Sequence, residues 1–267
     1  LGQATGVDVD SKGNVWVFHR AGREWSEPFP IEPIGRPTVW VFDGQTGRLL
    51  TSWGASTFIM PHGLTIDHDD NVWLTDVGRH QVFKFAPDGR QLLVLGEARV
   101  PGDDARHFNQ PTDVAVAADG TFFVSDGYGN SRVLHFTADG KLLKTWGTKG
   151  TGPGEFDLPH GIAIDQRGRV LVADRSNARV QVFDTSGKFL DQWRDAQLGR
   201  PYAVAPGAGS LVFIADGGDQ PKTPPDRAGV AVVDADGKLI MRFGRFGNYD
   251  GQFRLAHDIA VADDGAV

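Results

Sequence analysis

Three histidines occupy the same place in a repeated sequence pattern. His62 is second in the segment PHGLTID at 61–67, His160 is second in PHGIAID at 159–165, and His257 is second in AHDIAVA at 256–262. Three imidazoles that converge on a metal ion leave coordination positions open, which is how catalytic zinc sites are arranged. The repeat therefore predicts a metal site of His62, His160 and His257, with zinc as the first choice and other transition metals as alternatives.

Related segments without histidine alternate with these three. They are TGVDVD at 5–10, PTDVAV at 111–116 and PYAV at 201–204, so the units begin near residues 5, 61, 111, 159, 201 and 256. Each unit contains a short apolar strand, an Asp/Gly turn, a second strand ending in Asp, a loop and two further strands. Four short strands per repeat are typical of a propeller blade. The sequence therefore predicts an all-β, six-bladed β-propeller that forms a single domain over residues 1–267.

The sixth unit stops at Val267, partway into its second strand. The six residues before Val7 are too few to supply the missing strands, and proteins normally avoid an open sheet edge. We therefore expect an incomplete sixth blade here, and a natural chain that continues.

Propeller geometry selects further candidate residues. First strands line the central channel, so equivalent positions in alternate blades of six stand about 120° apart around the axis. The loops after the second strands open on the same face as the histidines, and they carry Arg20, Tyr128 and Arg175. A tyrosine beside a divalent cation can act as a base, because the cation favours phenolate. An arginine there can hold a carboxylate through paired hydrogen bonds.

Other features of the repeat have structural interpretations. The aspartates that close the second strands are predicted to cap the following loops, and they are Asp76, Asp126, Asp174 and Asp216. The tryptophans near the ends of fourth strands are predicted to pack between blades, and they are Trp53, Trp146 and Trp193. Long insertions at 21–36 and 217–228 fit either exposed proline-rich loops or a lid over a pocket.

The residue pattern also resembles known families. Residues 165–183 resemble the NHL-repeat signature. Several segments resemble peptidyl-α-hydroxyglycine α-amidating lyase, an NHL-type six-bladed propeller: VFHR at 17–20, PHGLTID at 61–67, WLTDV at 73–77, HQVFK at 80–84, FNQPTDVAV at 108–116, SDGYGNSR at 125–132, VADR at 172–175 and HDI at 257–259. Together these segments span nearly the whole chain.

The resemblance implies a reaction and two metal sites. It implies cleavage of an N-acyl- or peptidyl-α-hydroxyglycine to an amide and glyoxylate. Zinc would be bound by the three histidines, with Tyr128 as base and Arg20, with Arg175 near it, on the substrate side. It also implies a structural calcium ion held by the carbonyls of Val7 and Leu64 and by the Asp258 carboxylate, ligands that a hard cation prefers.

Two departures from the family pattern bear on substrate fit. Gly129 stands where animal members place a cysteine, and Leu255 replaces a methionine two residues before His257. The chain has no cysteine, so disulfides and thiolate metal sites are excluded.

Composition narrows the choice of partners. The net charge is −7 and no Lys/Arg-rich block is present, which argues against nucleic acid. No apolar run reaches the roughly 18 residues of a membrane span. We expect a monomer acting on a small-molecule or peptidyl substrate. The resemblance and the calcium site favour a secreted or periplasmic location.

Two alternative functions remain open from the sequence. The first is a metal-dependent hydrolase of lactones or phosphotriesters on the same kind of propeller. The second is a non-catalytic NHL-repeat platform for a protein partner.

Overall fold

The computed structural model describes residues 2–218 and 227–267, and its regular structure in these ranges is almost entirely β. Alternating apolar and polar residues bounded by Gly and Asp turns produce short strands that bury one face. The strands, in chain order, are β1 (Ala4–Val9), β2 (Asn14–His19), β3 (Val39–Asp43), β4 (Leu49–Trp53), β5 (Pro61–Ile66), β6 (Val72–Asp76), β7 (Gln81–Phe85), β8 (Gln91–Leu95), β9 (Pro111–Val116), β10 (Phe122–Asp126), β11 (Arg132–Phe136), β12 (Leu142–Trp146), β13 (Pro159–Ile164), β14 (Val170–Asp174), β15 (Arg179–Phe183), β16 (Phe189–Trp193), β17 (Pro201–Pro206), β18 (Val212–Asp216), β19 (Gly229–Val233), β20 (Leu239–Phe243), β21 (Arg245–Phe246) and β22 (Gln252–Phe253). A short 3-10 helix spans Ala208–Ser210.

Five antiparallel sheets of four strands form the blades of a propeller. Strands β1–β4, β5–β8, β9–β12, β13–β16 and β17–β20 each pair in chain order. The first strands of neighbouring blades pack side by side, as β1 does with β5 and β9 does with β13. Strands β21 and β22 form a separate two-stranded parallel sheet. The sheet order places the starts of successive first strands around one central channel.

Apolar side chains fill the space between blades. One cluster joins the first two blades through Phe18, Phe58 and Leu64, which are all buried. Fourth-strand tryptophans lie at the same interfaces: the ring of Trp53 is 5.0 Å from that of Phe85 in the next blade. The interior of the propeller is therefore a series of interfaces between blades.

The prediction of six blades is wrong: the described chain forms five blades and the small parallel sheet. Residues 256–267, the expected sixth unit, form no strand. A strand exists only by backbone pairing with a neighbour, and the described residues provide no such partner for this segment. Its own backbone hydrogen bonds close a turn, from Ala262 N to Ala266 O and from Gly265 N to Ala262 O.

Residues 219–226, most of the second long insertion, lie outside the described residues, so the lid interpretation of 217–228 stays a prediction. No helix in the described ranges is long and apolar enough to cross a membrane.

Candidate metal and catalytic site

The three repeat histidines meet at the centre of the propeller. One ligand atom from each of His62, His160 and His257 lies within 4.8 Å of the others. Their ring centroids are 4.7 to 4.9 Å apart. His62 and His160 are almost fully buried, at 1% and 2% exposure, and His257 is half-buried.

Each imidazole is oriented by a carbonyl from the next unit along the repeat. The Nδ1 atom of His62 lies 2.7 Å from the carbonyl oxygen of Thr112. The corresponding partners are Tyr202 for His160, at 2.7 Å, and Thr5 for His257, at 2.8 Å. A carbonyl only accepts hydrogen bonds, so Nδ1 carries the proton and Nε2 presents its lone pair. The units without histidine therefore set the tautomer of the units that have it.

The electrostatics of the site keep the histidines neutral. Burial is the largest cause that lowers the pKa values of His62 and His160 well below the ordinary value, and neighbouring histidines and arginines add to it. Burial, followed by the charge of Arg20, lowers the pKa of His257 to about 3. Neutral imidazole is the form that binds a metal, so these three side chains are in a ligating state at neutral pH.

The local backbone explains how a strand residue faces the channel axis. In the second blade the pairing register shifts between Pro61 and Leu64, and in the fourth between Pro159 and Gly161. Such bulges re-aim a side chain. The glycine after the histidine admits the neighbouring blade, because a Cβ at Gly63 would lie 2.5 Å from Thr112 O. This is the carbonyl that orients His62. A glycine directly after the histidine therefore leaves room for the Thr112 carbonyl to reach the imidazole.

Tyr128 joins the histidines from the loop after β10. Its hydroxyl oxygen lies 3.2 Å from Nε2 of His62 and 3.1 Å from Nε2 of His160. Arg175 Nη1 donates to the same hydroxyl at 3.4 Å. Burial raises the pKa of the Tyr128 phenol, while the charges of Arg175 and Arg20 oppose that rise. The hydroxyl is therefore placed to exchange a proton with a group held beside the imidazoles.

The two predicted arginines flank this tyrosine, each against an aromatic ring. The guanidinium carbon of Arg175 is 4.1 Å from the Tyr202 ring centroid, and that of Arg20 is 5.1 Å from the Trp25 ring centroid. Arg20 is 6% exposed, with Nε bonded to Pro61 O at 3.3 Å and Nη1 to Gln3 Oε1 at 3.0 Å. The site is thus positively charged and suits an anionic ligand.

The calcium prediction leads to a second polar group, which lies around Asp258. Asp258 Oδ2 accepts the Val7 N–H at 2.8 Å, so the two residues are in contact through the amide of Val7, while its carbonyl was the predicted ligand. Two further aspartates lie near them: Asp8 accepts the Ile66 N–H, and Asp113 accepts the N–H of Ile162 in the fourth blade.

These channel carboxylates are costly to bury while charged. Burial, with the charge of Asp113 next, raises the pKa of Asp258 well above the ordinary value. A cation beside them would offset that cost. Sequence reasoning missed Asp8 and Asp113, although their signal was visible as acidic residues inside first-strand segments.

The donor chemistry fits the two kinds of metal differently. The tri-histidine group offers three neutral nitrogen donors whose second ring nitrogens are already hydrogen-bonded, a set that suits zinc and related transition metals. The region around Asp258 offers the carboxylate oxygens of Asp258, Asp113 and Asp8, which are ligands of the kind that calcium prefers. Within the described residues, three candidate His, Asp or Glu ligand atoms come this close only at the tri-histidine group.

Comparison with known proteins shows the family to which the chain belongs. The NHL repeat model matches residues 58–85, 108–136 and 156–183. Peptidyl-α-hydroxyglycine α-amidating lyase 2 of Drosophila melanogaster is 37% identical over 100% of this chain and 68% of the relative. A probable peptidyl-α-hydroxyglycine α-amidating lyase of Caenorhabditis elegans is 35% identical over 100% of this chain and 79% of the relative. The chain belongs to the peptidyl-α-hydroxyglycine α-amidating lyase family.

The chain also matches part of much longer proteins. Peptidyl-glycine α-amidating monooxygenase B of Xenopus laevis is 38% identical over 100% of this chain, which spans 32% of that relative. Among solved structures, one of a streptogramin B lyase has a TM-score of 0.64 at 13% identity, covering 98% of this chain and 88% of that one. This last likeness shows the propeller fold alone.

The structure also brings to this site a residue that the sequence placed only within the possible lid at 21–36. Trp25, in the first long insertion, lies against Tyr128 with ring centroids 5.0 Å apart. The signal that could have found it was an aromatic residue in an insertion that follows Arg20 directly.

Proposed function

We propose that this chain cleaves N-acyl- or peptidyl-α-hydroxyglycine into the corresponding amide and glyoxylate. The observation that carries the proposal is the hydroxyl of Tyr128, which lies between two neutral imidazoles and within reach of Arg175. Family membership supports the same chemistry, because relatives that the chain matches over its full length are named for it.

The proposed reaction needs one proton to leave the substrate's hydroxyl group. Tyr128 Oη is proposed to accept that proton, since it lies 3.2 Å from His62 Nε2 and 3.1 Å from His160 Nε2. The electron pair left on the substrate oxygen forms the aldehyde C=O of glyoxylate. The C–N bond breaks with its electrons going to the amide nitrogen, which takes up a proton.

In this proposal, the two arginines stabilise negative charge on the substrate and on Tyr128. Glyoxylate and its precursor both carry a carboxylate, and Arg20 is a buried cation beside the site, suited to holding that carboxylate. Arg175 donates to the Tyr128 hydroxyl and therefore stabilises the phenolate form against the effect of burial.

Zinc is the ion that we propose for His62, His160 and His257. A divalent cation held there supplies Lewis acidity, which lowers the pKa of nearby hydroxyl groups. For the channel we propose calcium, with the carbonyls of Val7 and Leu64 and the Asp258 carboxylate as ligands. Its role would be structural, to neutralise buried carboxylates.

The first experiment measures glyoxylate released from N-acetyl-α-hydroxyglycine, with and without a chelator, above the spontaneous rate. We expect chelator-sensitive release that returns when zinc is added. His160→Ala should lose both bound zinc and glyoxylate release, whereas the control His68→Ala, an exposed histidine, should keep both.

The opposing outcomes point to different functions. A folded, zinc-loaded protein that releases no glyoxylate would refute the lyase proposal and direct assays to lactones and phosphotriesters. Unchanged zinc content in His160→Ala would remove the tri-histidine group from the proposal.

A further inference from the structure

The first long insertion, residues 21–36, is fixed beside the candidate site. Arg23 Nη1 donates to the carbonyl of Ile59 at 2.7 Å and to that of Glu32 at 2.8 Å. The Ile34 N–H donates to Phe58 O, and the Ser56 N–H donates to Ile34 O, both at 2.7 Å. These bonds tie the insertion to the segment that leads into His62. The insertion is therefore anchored beside the site and forms one of its walls.

Trp25 is the residue of this wall that reaches the site. Its ring packs on Tyr128 on one side and meets Phe29 edge-on, with centroids 4.9 Å apart at 89°. The Arg20 guanidinium lies over the same indole. Because three neighbours hold it, the indole loses little conformational freedom when a ligand packs on it.

The surface around Trp25 is apolar but not closed. Trp25, Phe29 and Tyr128 pack against the buried residues Ile59, Met60 and Val77. Trp25 and Phe29 themselves are only half-buried. A half-exposed aromatic pair beside a charged centre is the composition of a ligand subsite, where apolar surface binds and a few polar groups orient.

We propose that Trp25 and Phe29 form the subsite for the acyl group of the substrate, and that they select aromatic or large apolar acyl groups. The inference rests on the proposed function, which places the hydroxyglycine between Tyr128 and the imidazoles. The charged end of the substrate then faces Arg20, and the acyl group continues along the neighbouring surface that Trp25 provides. An aromatic acyl group can pack on the indole in offset or edge-on geometry.

The test compares two ligands that differ only in the acyl group. With N-benzoyl- and N-acetyl-α-hydroxyglycine, we expect kcat/KM about tenfold higher for the benzoyl substrate, a ratio typical of one ring buried against an aromatic partner. Trp25→Ala should lower the ratio of the two kcat/KM values from about tenfold to near one. Any loss that the two substrates share comes from the contacts of the indole with Tyr128 and Arg20. Trp25→Phe should restore most of the ratio.

Matched controls separate this subsite from a general loss of structure. Ile31→Ala removes an apolar side chain of the same insertion that is 56% exposed, and it should leave both substrates unaffected. Equal losses for both substrates in Trp25→Ala, or no preference in the unaltered protein, would overturn the proposal.

A binding measurement tests the subsite independently of the reaction. Titration calorimetry of the unaltered protein with the unreactive ligands N-benzoylglycine and N-acetylglycine should show the same roughly tenfold preference, reduced in Trp25→Ala. If that preference is present but no glyoxylate is ever released, the proposed function fails and the subsite stands. If the preference is absent, the subsite is wrong whatever the activity.

Discussion

At the scale of single residues, burial and neighbouring charges act in opposite directions on the pKa of Tyr128. Burial disfavours its phenolate, while Arg175 and Arg20 favour it. The imidazoles beside it are neutral, so they add no positive charge of their own. In the proposed mechanism, the tyrosine would depend on its two arginines, and on a cation at the histidines, to form the phenolate that takes up a proton near neutral pH.

The first prediction concerns this hydroxyl. Tyr128→Phe should lower kcat by about 10²- to 10⁴-fold, the range that positioned acid–base groups contribute. Zinc content should be unchanged, because the ligating nitrogens stay in place. Glyoxylate release and metal analysis measure the two effects. Tyr249→Phe, at a tyrosine that is 80% exposed, is the control and should keep normal turnover. Normal turnover in Tyr128→Phe would instead remove this residue from the mechanism.

At the scale of elements, buried aspartates hold the loops between second and third strands. Asp174 is fully buried, and its Oδ2 accepts from Arg179 Nε at 2.7 Å and from Asn177 Nδ2 at 2.9 Å. Arg179, at 1% exposure, also donates to the carbonyls of Gly152 and Glu155. One ion pair therefore fixes the loop that carries Arg175 to the connection preceding β13.

The second prediction follows from this pair. Asp174→Ala should lower the free energy of unfolding by about 3–5 kcal/mol, because Arg179 would be left as a buried charge without its carboxylate. Urea denaturation measures the change. The control is Asp184→Ala, a half-buried aspartate at a hairpin turn, which should cost only about 1 kcal/mol. Similar losses in the two variants would contradict this account.

At the scale of the whole molecule, the aspartates of the first strands connect separate blades. Burial raises the pKa of Asp113 to about 7 and that of Asp8 to about 6, whereas an aspartate in an unfolded chain titrates near pH 3.9. Between about pH 4 and pH 7 the folded protein therefore binds more protons than the unfolded chain. Without a bound cation, the free energy of unfolding falls as the pH rises through this window.

The third prediction removes one of these carboxyls. In the presence of a chelator, Asp113→Asn should lose less stability than the unaltered protein between pH 4 and pH 8. The difference should be up to about 4 kcal/mol, which corresponds to the size of the pKa shift. Denaturation curves at the two pH values measure it.

The control for this pH effect lies in the same blade. Asp119 is exposed and its pKa is lowered by hydrogen bonds from Thr121, so Asp119→Asn should leave the slope between pH 5 and pH 8 unchanged. An identical slope in Asp113→Asn would show that its carboxyl does not hold the proton.

The blade pattern and the candidate site residues were visible in the sequence because they are local and repeated. Alternating apolar residues and Asp/Gly turns determine strands within a few residues, and a repeat makes equivalent positions comparable. His62, His160 and His257 stood at one such position, and the tertiary structure brings their ligand atoms together. The family resemblance, carried by segments along the whole chain, was confirmed by the relatives.

Features that depend on contacts between residues distant in sequence were decided only by the tertiary structure. The number of blades was predicted incorrectly, because a strand-like segment at 256–262 becomes a strand only if another strand pairs with it. Three features depend on how the blades pack: the carbonyls that orient the imidazoles, the surroundings of the Asp113 carboxyl, and the contact of Trp25 with Tyr128. The position of a residue within the repeat indicates which face of a blade it lies on. Its hydrogen bonds and its burial are set by the surrounding blades. For the three histidines, those contacts determine the charge and the tautomer on which the proposed chemistry depends.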